Sequence, residues 1–273
     1  MKENYSIITD LILQIYVIDI SKYDPSFLDK SIQKRITDTS CDSIAAYNTY
    51  LEQSNVERDI FMHSLQVNYS LFFRNNFTFT ILENIILPSI IRQKKLSKQK
   101  EIRIWSAACA SGQETYSLAI LMNELLMDNK DGIGYRIFAS DYSKNNINEA
   151  VLGRYSDKNL AQVSISRANQ WFVIQGNKYV VKDELKTHID FSVFDLLNEE
   201  LSCPANSIFC DFDIVICSNL LFYYQPFYQK KIIQKALHSL NPKGYFITGE
   251  TEREMLLVEN LVEVFPQWGI FGR

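Results

Sequence analysis

The sequence predicts an α/β protein with a mostly parallel, doubly wound sheet, preceded by a small all-α domain. From about residue 101 onward, short runs rich in β-branched and aromatic residues alternate with helical segments, which is the pattern of parallel strands joined by crossover helices. Before that point, apolar residues recur at the three- and four-residue spacing of helices. The chain has 273 residues, of which 47% are apolar, so it is long enough for one large domain and a small one.

Residues 1–80 are predicted to form the helical domain. The segments DLILQIYVIDI, SFLDKSIQKRI and SIAAYNTYLEQ each carry a broad apolar face, and polar turns separate them. Residues 81–100 are predicted to form a linker helix. Its basic end, KKLSKQK at 94–100, is expected to be a solvated charge run.

Residues 101–273 contain the predicted α/β domain. The strand candidates are EIRIWSA (101–107), YRIFASD (135–141), FDIVICSN (212–219) and GYFITGE (244–250). Helices are predicted at ETYSLAILMNELLMD (114–128), at SKNNINEAVLGRY with Ser143 as its N-cap, and at YQKKIIQKALHSL (228–240). The segment 172–195 indicates an irregular hairpin that leads into a short strand, so a small β insertion is expected at about 172–190.

Composition excludes several classes of function. Lys and Arg number 28 against 32 Asp and Glu, and without a clustered positive surface no nucleic-acid partner is expected. No apolar run approaches the roughly 20 residues of a membrane span, and the N-terminus lacks the order of a secretory signal. We therefore expect a cytoplasmic monomer with no direct membrane insertion. The five cysteines and three histidines show no metal-ligand spacing, so free thiols and no metal are expected.

Polar residues follow four of the predicted strands. They are the AACASGQE turn, Asp141, Asp195 and Asn219. Ligands of doubly wound sheets bind outside the carboxyl ends of the strands. The turn contains one glycine, Gly112, instead of the G-x-G-x-x-G that close approach to a pyrophosphate requires. S-adenosylmethionine fits this turn, because it carries an adenosine without phosphate and ends in a carboxylate and an ammonium group.

Two acidic residues have predicted roles in such a site. Asp141 would accept hydrogen bonds from the ribose hydroxyls, as the acidic residue does in dinucleotide folds. Glu114, in the first turn of a helix, would receive the ammonium group. A purely structural role is the alternative for each residue. Asp141 would then be a strand-end turn residue, and Glu114 an acid that favours a helix N-terminus by about 0.3–1 kcal/mol.

Several motifs resemble, in order from about residue 10 to 255, those of the bacterial chemotaxis-receptor methyltransferases (the CheR type). WSAACASGQETYSLA is similar to their first motif, and NYSLFFRN (68–75) to their N-L/T-T-x-F-F-R-E segment. FASDYSKNNINEAVLGRY, FDIVICSNLLFYYQ and LNPKGYFITGETE are similar to three later motifs. The resemblance implies a Rossmann-like, S-adenosylmethionine-dependent methyltransferase domain with a short β insertion. It also implies methyl transfer to glutamate side chains on the cytoplasmic helices of a methyl-accepting chemoreceptor, with S-adenosylhomocysteine as product.

The resemblance further implies the site residues. Arg74 and Tyr223 take the catalytic positions, where the planar fork of Arg74 would hold a carboxylate and Tyr223 would donate a hydrogen bond to it. An interdomain or surface salt bridge is the alternative for Arg74, and core packing is the alternative for Tyr223. The implied cofactor-binding residues are Asn68, Ser70, Arg74, Ala108, Gly112, Glu114, Asp141, Asp195, Ser218 and Asn219.

The chain departs from the family pattern at several positions. Ser218 stands where the family has an arginine, and Gln113 and Thr115 replace a glutamate and a proline. The β-insertion loop is short and has one glycine, Gly176, so we expect receptor binding without a tether to a receptor-tail peptide. Two alternatives remain open. One is a methyltransferase that acts on another protein or a small molecule, and the other is a cofactor- or receptor-binding adaptor with weakened turnover.

Overall fold

The chain forms two compact units. The computed structural model describes residues 5–66, 70–127, 131–207, 209–257 and 261–273. One unit is Met1–Val67 with Leu221–Lys230, and the other is Asn68–Leu220 with Lys231–Arg273. The boundary thus lies at Val67, whereas the sequence places it near residue 80. The reason is that Phe72, Phe79 and Leu82 pack in the hydrophobic core of the second unit.

The first unit is helical, as predicted. Its described residues form α1 (Ser6–Tyr16), α2 (Pro25–Thr39), α3 (Ile44–Gln53) and α4 (Asn55–Ser64). The side chains of Asp24, Ser43 and Ser54 cap α2, α3 and α4 by accepting hydrogen bonds from backbone N–H groups of the first turn. The fully buried side chains Ile8, Ile12, Ile32, Tyr47, Leu51 and Phe61 form the core of this unit.

Residues of Leu221–Lys230 pack with the helical unit. The backbone N–H of Asp24 donates to the Tyr223 carbonyl at 2.8 Å, and that of Gln225 donates to the Lys22 carbonyl at 2.9 Å. The ring of Tyr223 packs edge-on against Phe27, with centroids 4.9 Å apart. Tyr223 is therefore held by contacts with the start of α2.

The second unit contains the α/β domain that the sequence predicts. Its strands are β1 (Glu101–Ala107), β2 (Gly134–Asp141), β3 (Arg154–Tyr155), β4 (Phe172–Gln175), β5 (Lys178–Val181), β6 (Ile189–Val193), β7 (Phe212–Cys217), β8 (Leu240–Thr248), β9 (Val262–Phe265) and β10 (Ile270–Gly272). The main sheet has the order β6-β2-β1-β7-β8-β10-β9. Its first five strands pair in parallel, and β10 and β9 add antiparallel edge strands. A separate three-stranded sheet, β3-β5-β4, contains two strands within the range expected for a β insertion, 172–190, and a third strand, β3, that precedes this range.

Two of the remaining helices precede β1, and the others lie between strands. The remaining helices are α5 (Asn76–Ile81), α6 (Leu87–Ser97), α7 (Gln113–Leu126), α8 (Lys144–Leu152), α9 (Ile165–Trp171), α10 (Asp183–Lys186), α11 (Pro226–Ser239) and α12 (Arg253–Leu257). A π-helical turn, Leu82–Ile86, joins α5 and α6 into one continuous segment. The predicted N-cap of α8 is confirmed, since the Ser143 hydroxyl accepts from the Asn146 N–H. In the described ranges, no helix has both the length and the apolar character needed to cross a membrane.

Strand register aligns the ends of β1 and β2. The pairing runs from Glu101 opposite Gly134 to Ala107 opposite Ser140. The strand order reverses at β1, which lies between β2 and β7, and such switch points are where doubly wound sheets bind ligands. The turn after β1 is therefore placed next to Asp141, the last residue of β2.

The basic run at 94–100 differs from expectation at its first residue. Lys94, expected to be solvated, is buried and pairs with Asp213 at 2.8 Å. The same carboxylate accepts from the Arg103 N–H and the Asn241 amide, so the buried charges are well compensated.

The cysteines also differ from expectation. Cys203 and Cys210 form a disulfide, whereas Cys41, Cys109 and Cys217 are free thiols. The Cα atoms of the bonded pair are 6.0 Å apart, within the ordinary range for a disulfide. Among the residues that the structure describes, no group of three or more His, Cys, Asp and Glu side chains is placed to hold a metal ion.

Candidate functional site

The turn between β1 and α7 takes left-handed backbone conformations at three small residues. Ala108, Ala110 and Gly112 have φ values of +57°, +48° and +91°. A Cβ added at Gly112 would lie 2.9 Å from the Cβ of Ala150, so this position requires glycine for space as well as conformation. The Tyr155 hydroxyl donates to the Ser111 carbonyl at 2.6 Å, which holds the turn in place.

Asp141 braces this turn from the end of β2. One carboxylate oxygen accepts from the Ala110 N–H at 2.9 Å, and the other accepts from the Ser143 N–H at 2.9 Å and the Asn146 amide at 3.0 Å. Burial raises the pKa of the Asp141 carboxyl, and these donors oppose that shift. Asp141 therefore stabilises the turn, which is the structural role given as its alternative in the sequence analysis. Its position beside the turn is also the one expected of a ribose-binding acid.

Glu114 places a carboxylate in the first turn of α7. Burial is the main cause that raises the pKa of Glu114 to about 7, while the Ser218 hydroxyl and the nearby charge of Arg74 oppose the shift. The Ser106 hydroxyl lies 3.5 Å from Oε1 of Glu114, and Thr115 in turn donates to Ser106 at 3.0 Å. An acid whose pKa is strongly shifted by its surroundings is a candidate functional-site residue, and its ionised form can receive a cationic ligand group.

A cavity brings together four of the predicted site residues, namely Arg74, Glu114, Ser218 and Asn219. Its remaining lining residues are Asn75, Thr78, Phe79, Leu82, Ile216 and Ile247. Polar groups at a few positions with apolar residues beside them are typical of small-ligand sites.

The conformation of Asn219 is fixed by a residue that the sequence analysis missed, Glu252. Asn219 has φ of +61°, and its N–H donates to Oε2 of Glu252 at 2.7 Å. The same oxygen accepts from the Thr248 hydroxyl and the Gly249 N–H, each at 3.0 Å. Glu252 is fully buried, and it follows β8 just as Asp141 ends β2. The sequence signal for Glu252 is that it is an acidic residue shortly after the predicted strand at 244–250, as the other polar site residues follow their strands.

The other predicted site residues lie at several places. Asp195 follows β6 and accepts from the Leu197 N–H at 2.8 Å. Because β6 pairs in parallel with β2, with Val193 opposite Asp141, Asp195 lies at the same edge of the sheet as Asp141. Ser70 is in the loop before Arg74 and is not among the described residues that line the cavity. Asn68 lies outside the described residues. Tyr223 belongs to the helical unit.

Both units match models of one family. Residues 68–267 match the CheR methyltransferase, SAM binding domain, and residues 3–65 match the CheR methyltransferase, all-alpha domain. This chain belongs to the CheR methyltransferase family. It is a methyltransferase, and its cofactor is S-adenosylmethionine. The family resemblance inferred from the sequence motifs is confirmed.

Curated relatives of this CheR protein span most of its length. The chemotaxis protein methyltransferase of Borreliella burgdorferi is 26% identical over 257 residues, which cover 92% of this chain and 88% of that protein. That of Vibrio parahaemolyticus is 30% identical over 221 residues, covering 80% and 74% respectively. Chemotaxis protein methyltransferase Cher2 of Pseudomonas putida is 30% identical over 199 residues, covering 71% and 69%.

The residues present fit the cofactor. S-adenosylmethionine offers an ammonium group, ribose hydroxyls and no phosphate. This chain supplies the Glu114 carboxylate in the cavity and the Asp141 carboxylate at the adjoining strand end. Its turn has one glycine in place of the three of a pyrophosphate-binding loop.

Proposed function

We propose that this protein methylates glutamate side chains on the cytoplasmic helices of a methyl-accepting chemoreceptor, acting as a monomer in the cytoplasm. The match to both CheR domain models and the chemotaxis methyltransferases among its relatives support this substrate. The structural observation that carries the proposal is the cavity in which Arg74 and Glu114 lie together. It offers a cation for an acceptor carboxylate and an acid for the ammonium group of the cofactor.

Arg74 has the chemistry required to orient the acceptor. Among the described residues that line the cavity, it is the cationic one, and a guanidinium can hold a carboxylate through two parallel hydrogen bonds. The apolar side chains of Phe79, Leu82 and Ile247 line the same cavity. Orientation of two reactants in one site accounts for several kcal/mol of barrier lowering.

The reaction requires no general base. When bound, S-adenosylmethionine supplies an electrophilic methyl group on a sulfonium. The acceptor glutamate has an ordinary pKa of about 4.3, so it is already ionised at neutral pH. One of its oxygens forms the new O–CH₃ bond, and the electron pair of the breaking C–S bond stays on sulfur. The products are a glutamate γ-methyl ester and S-adenosylhomocysteine.

The remaining roles follow from the family resemblance together with the positions described above. Glu114 receives the ammonium group, and Asp141 accepts from the ribose hydroxyls. The other proposed cofactor-binding residues are Asn68, Ser70, Ala108, Gly112, Asp195, Ser218 and Asn219. Tyr223 is proposed as the second catalytic residue on the resemblance alone, and a Tyr223→Phe variant with reduced kcat and unchanged cofactor affinity would support it.

The test is to count base-labile methyl groups on protein. The enzyme is incubated with methyl-labelled S-adenosylmethionine and receptor cytoplasmic fragments from the same genome, and volatile methanol is collected after mild base treatment. We expect release from wild-type reactions and at least about a hundredfold less with Arg74→Ala, since a bidentate charged contact in the transition state is lost. Label on a small molecule would contradict the proposed substrate. Tight binding of S-adenosylhomocysteine without any transfer would indicate an adaptor.

A further inference from the structure

Two aromatic side chains form an exposed pair in the second unit. Phe77, near the start of α5, is 64% exposed, and its ring stacks on that of the partly exposed Trp268. The ring centroids are 4.6 Å apart and the planes are inclined by 33°. Large aromatic side chains that stay in water cost free energy, and Trp and Phe are enriched at protein–protein interfaces.

The pair adjoins the wall of the cavity. Thr78, the residue after Phe77, lines the cavity, and its hydroxyl donates to the Trp268 carbonyl at 3.3 Å. Arg74 and Asn75 line the same cavity from the segment just before α5. One short segment therefore places Arg74 at the cavity and Phe77, three residues later, next to a residue that lines the cavity.

The sequence neighbours of the aromatic pair, Asn76, Thr80 and Gln267, are uncharged. The nearby Glu263 carboxylate, which accepts from the Gly269 N–H, is largely buried and pairs with Arg253 at 2.9 Å. A partner that satisfies both features needs a carboxylate for Arg74 and an apolar group for Phe77 and Trp268. On a helix, residues three or four apart lie on one face with their Cβ atoms about 5–6 Å apart. An acceptor helix would thus offer both groups from adjacent turns.

We propose that Phe77 and Trp268 bind an apolar side chain that lies three or four residues from the methylated glutamate on the acceptor helix. This role rests on the proposed function, and it adds a sequence preference to it. Acceptor glutamates with an apolar neighbour on the same helix face are preferred, and those with an acidic neighbour there are rejected. Rejection follows because a carboxylate against two aromatic faces loses its water without gaining a donor.

Steady-state methylation of a receptor cytoplasmic fragment tests the pair. Phe77→Ala and Trp268→Ala are expected to raise KM for the receptor about tenfold or more, which is the effect of truncating a central aromatic residue of an interface. The kcat at saturating receptor and the affinity for S-adenosylhomocysteine should change by less than about twofold. Phe209→Ala is the matched control, because Phe209 is 75% exposed in the same unit and does not line the cavity.

A complementary change in the receptor fragment completes the test. Replacing the apolar residue three or four positions from a methylated glutamate by aspartate should reduce its methylation by the wild-type enzyme, with little further loss in Phe77→Ala. Unchanged KM in both aromatic variants, or equal methylation of the aspartate-substituted fragment, would overturn the docking role alone. If the wild-type enzyme transfers no methyl group to any receptor fragment, the proposed function is overturned and the docking role with it.

Discussion

The protonation of Glu114 should control cofactor affinity near neutral pH. Burial raises the pKa of Glu114 to about 7, and the ammonium group of the ligand requires the ionised form. With that pKa, about one molecule in ten carries an ionised Glu114 at pH 6 and about nine in ten at pH 8. The affinity for S-adenosylhomocysteine should therefore rise about tenfold between these pH values, which is about 1.4 kcal/mol.

Calorimetric titration with S-adenosylhomocysteine between about pH 6 and pH 8 measures this effect. In buffers of different ionisation enthalpy, binding at about pH 6 should release close to one proton, and the release should vanish by about pH 8. Glu114→Gln should bind more weakly at about pH 8 and lose the pH dependence, whereas Glu200→Gln, which changes an exposed acid, should behave as wild type. An affinity that is flat or falls with rising pH in the wild-type protein would refute the role of Glu114.

Substitutions at four further positions test other parts of the structure. Asp141→Ala should weaken S-adenosylhomocysteine binding by about 1–3 kcal/mol in calorimetry, because a partly buried acceptor is lost, and unchanged affinity would remove it from the ribose site. Gly112→Ala should lower the free energy of unfolding by about 2 kcal/mol or more, through its +91° φ and the 2.9 Å approach to Ala150. Gly132→Ala, with a φ of +65° and no atom within 4 Å of the added Cβ, should cost only about 1 kcal/mol, and denaturant titrations that give equal losses for the two would contradict the packing argument. Glu252→Ala should lower the unfolding free energy by about 2–3 kcal/mol because buried donors lose their acceptor, and Glu252→Gln should retain more stability; equal losses in thermal denaturation would count against this.

Much of the fold follows from local sequence pattern. β1 is observed at Glu101–Ala107, the residues predicted from its apolar run, and α8 begins at the predicted Ser143 cap. These elements are predictable because burial on both faces of a parallel strand and capping of a helix start both act within a few residues. The position of Asp141 beside the first turn followed in the same way from the parallel order of β1 and β2.

Contacts between distant residues explain what the sequence did not reveal. Lys94 is buried because Asp213, far away in the chain, supplies its counter-ion, and a local run of lysines gives no sign of this. Cys203 and Cys210 are bonded although they lack a recognisable spacing. Glu252 was missed because donors to its carboxylate come from residues at or just after the ends of β7 and β8, which meet only in the folded sheet.

A crystal structure of the protein with S-adenosylhomocysteine tests the central claim most directly. The account predicts that the ribose hydroxyls lie within hydrogen-bonding distance of Asp141 and that the ammonium group contacts Glu114. The sulfur atom should then face the cavity that Arg74 lines. A ligand bound elsewhere, or bound at the end of β1 with its ammonium group away from Glu114, would contradict it.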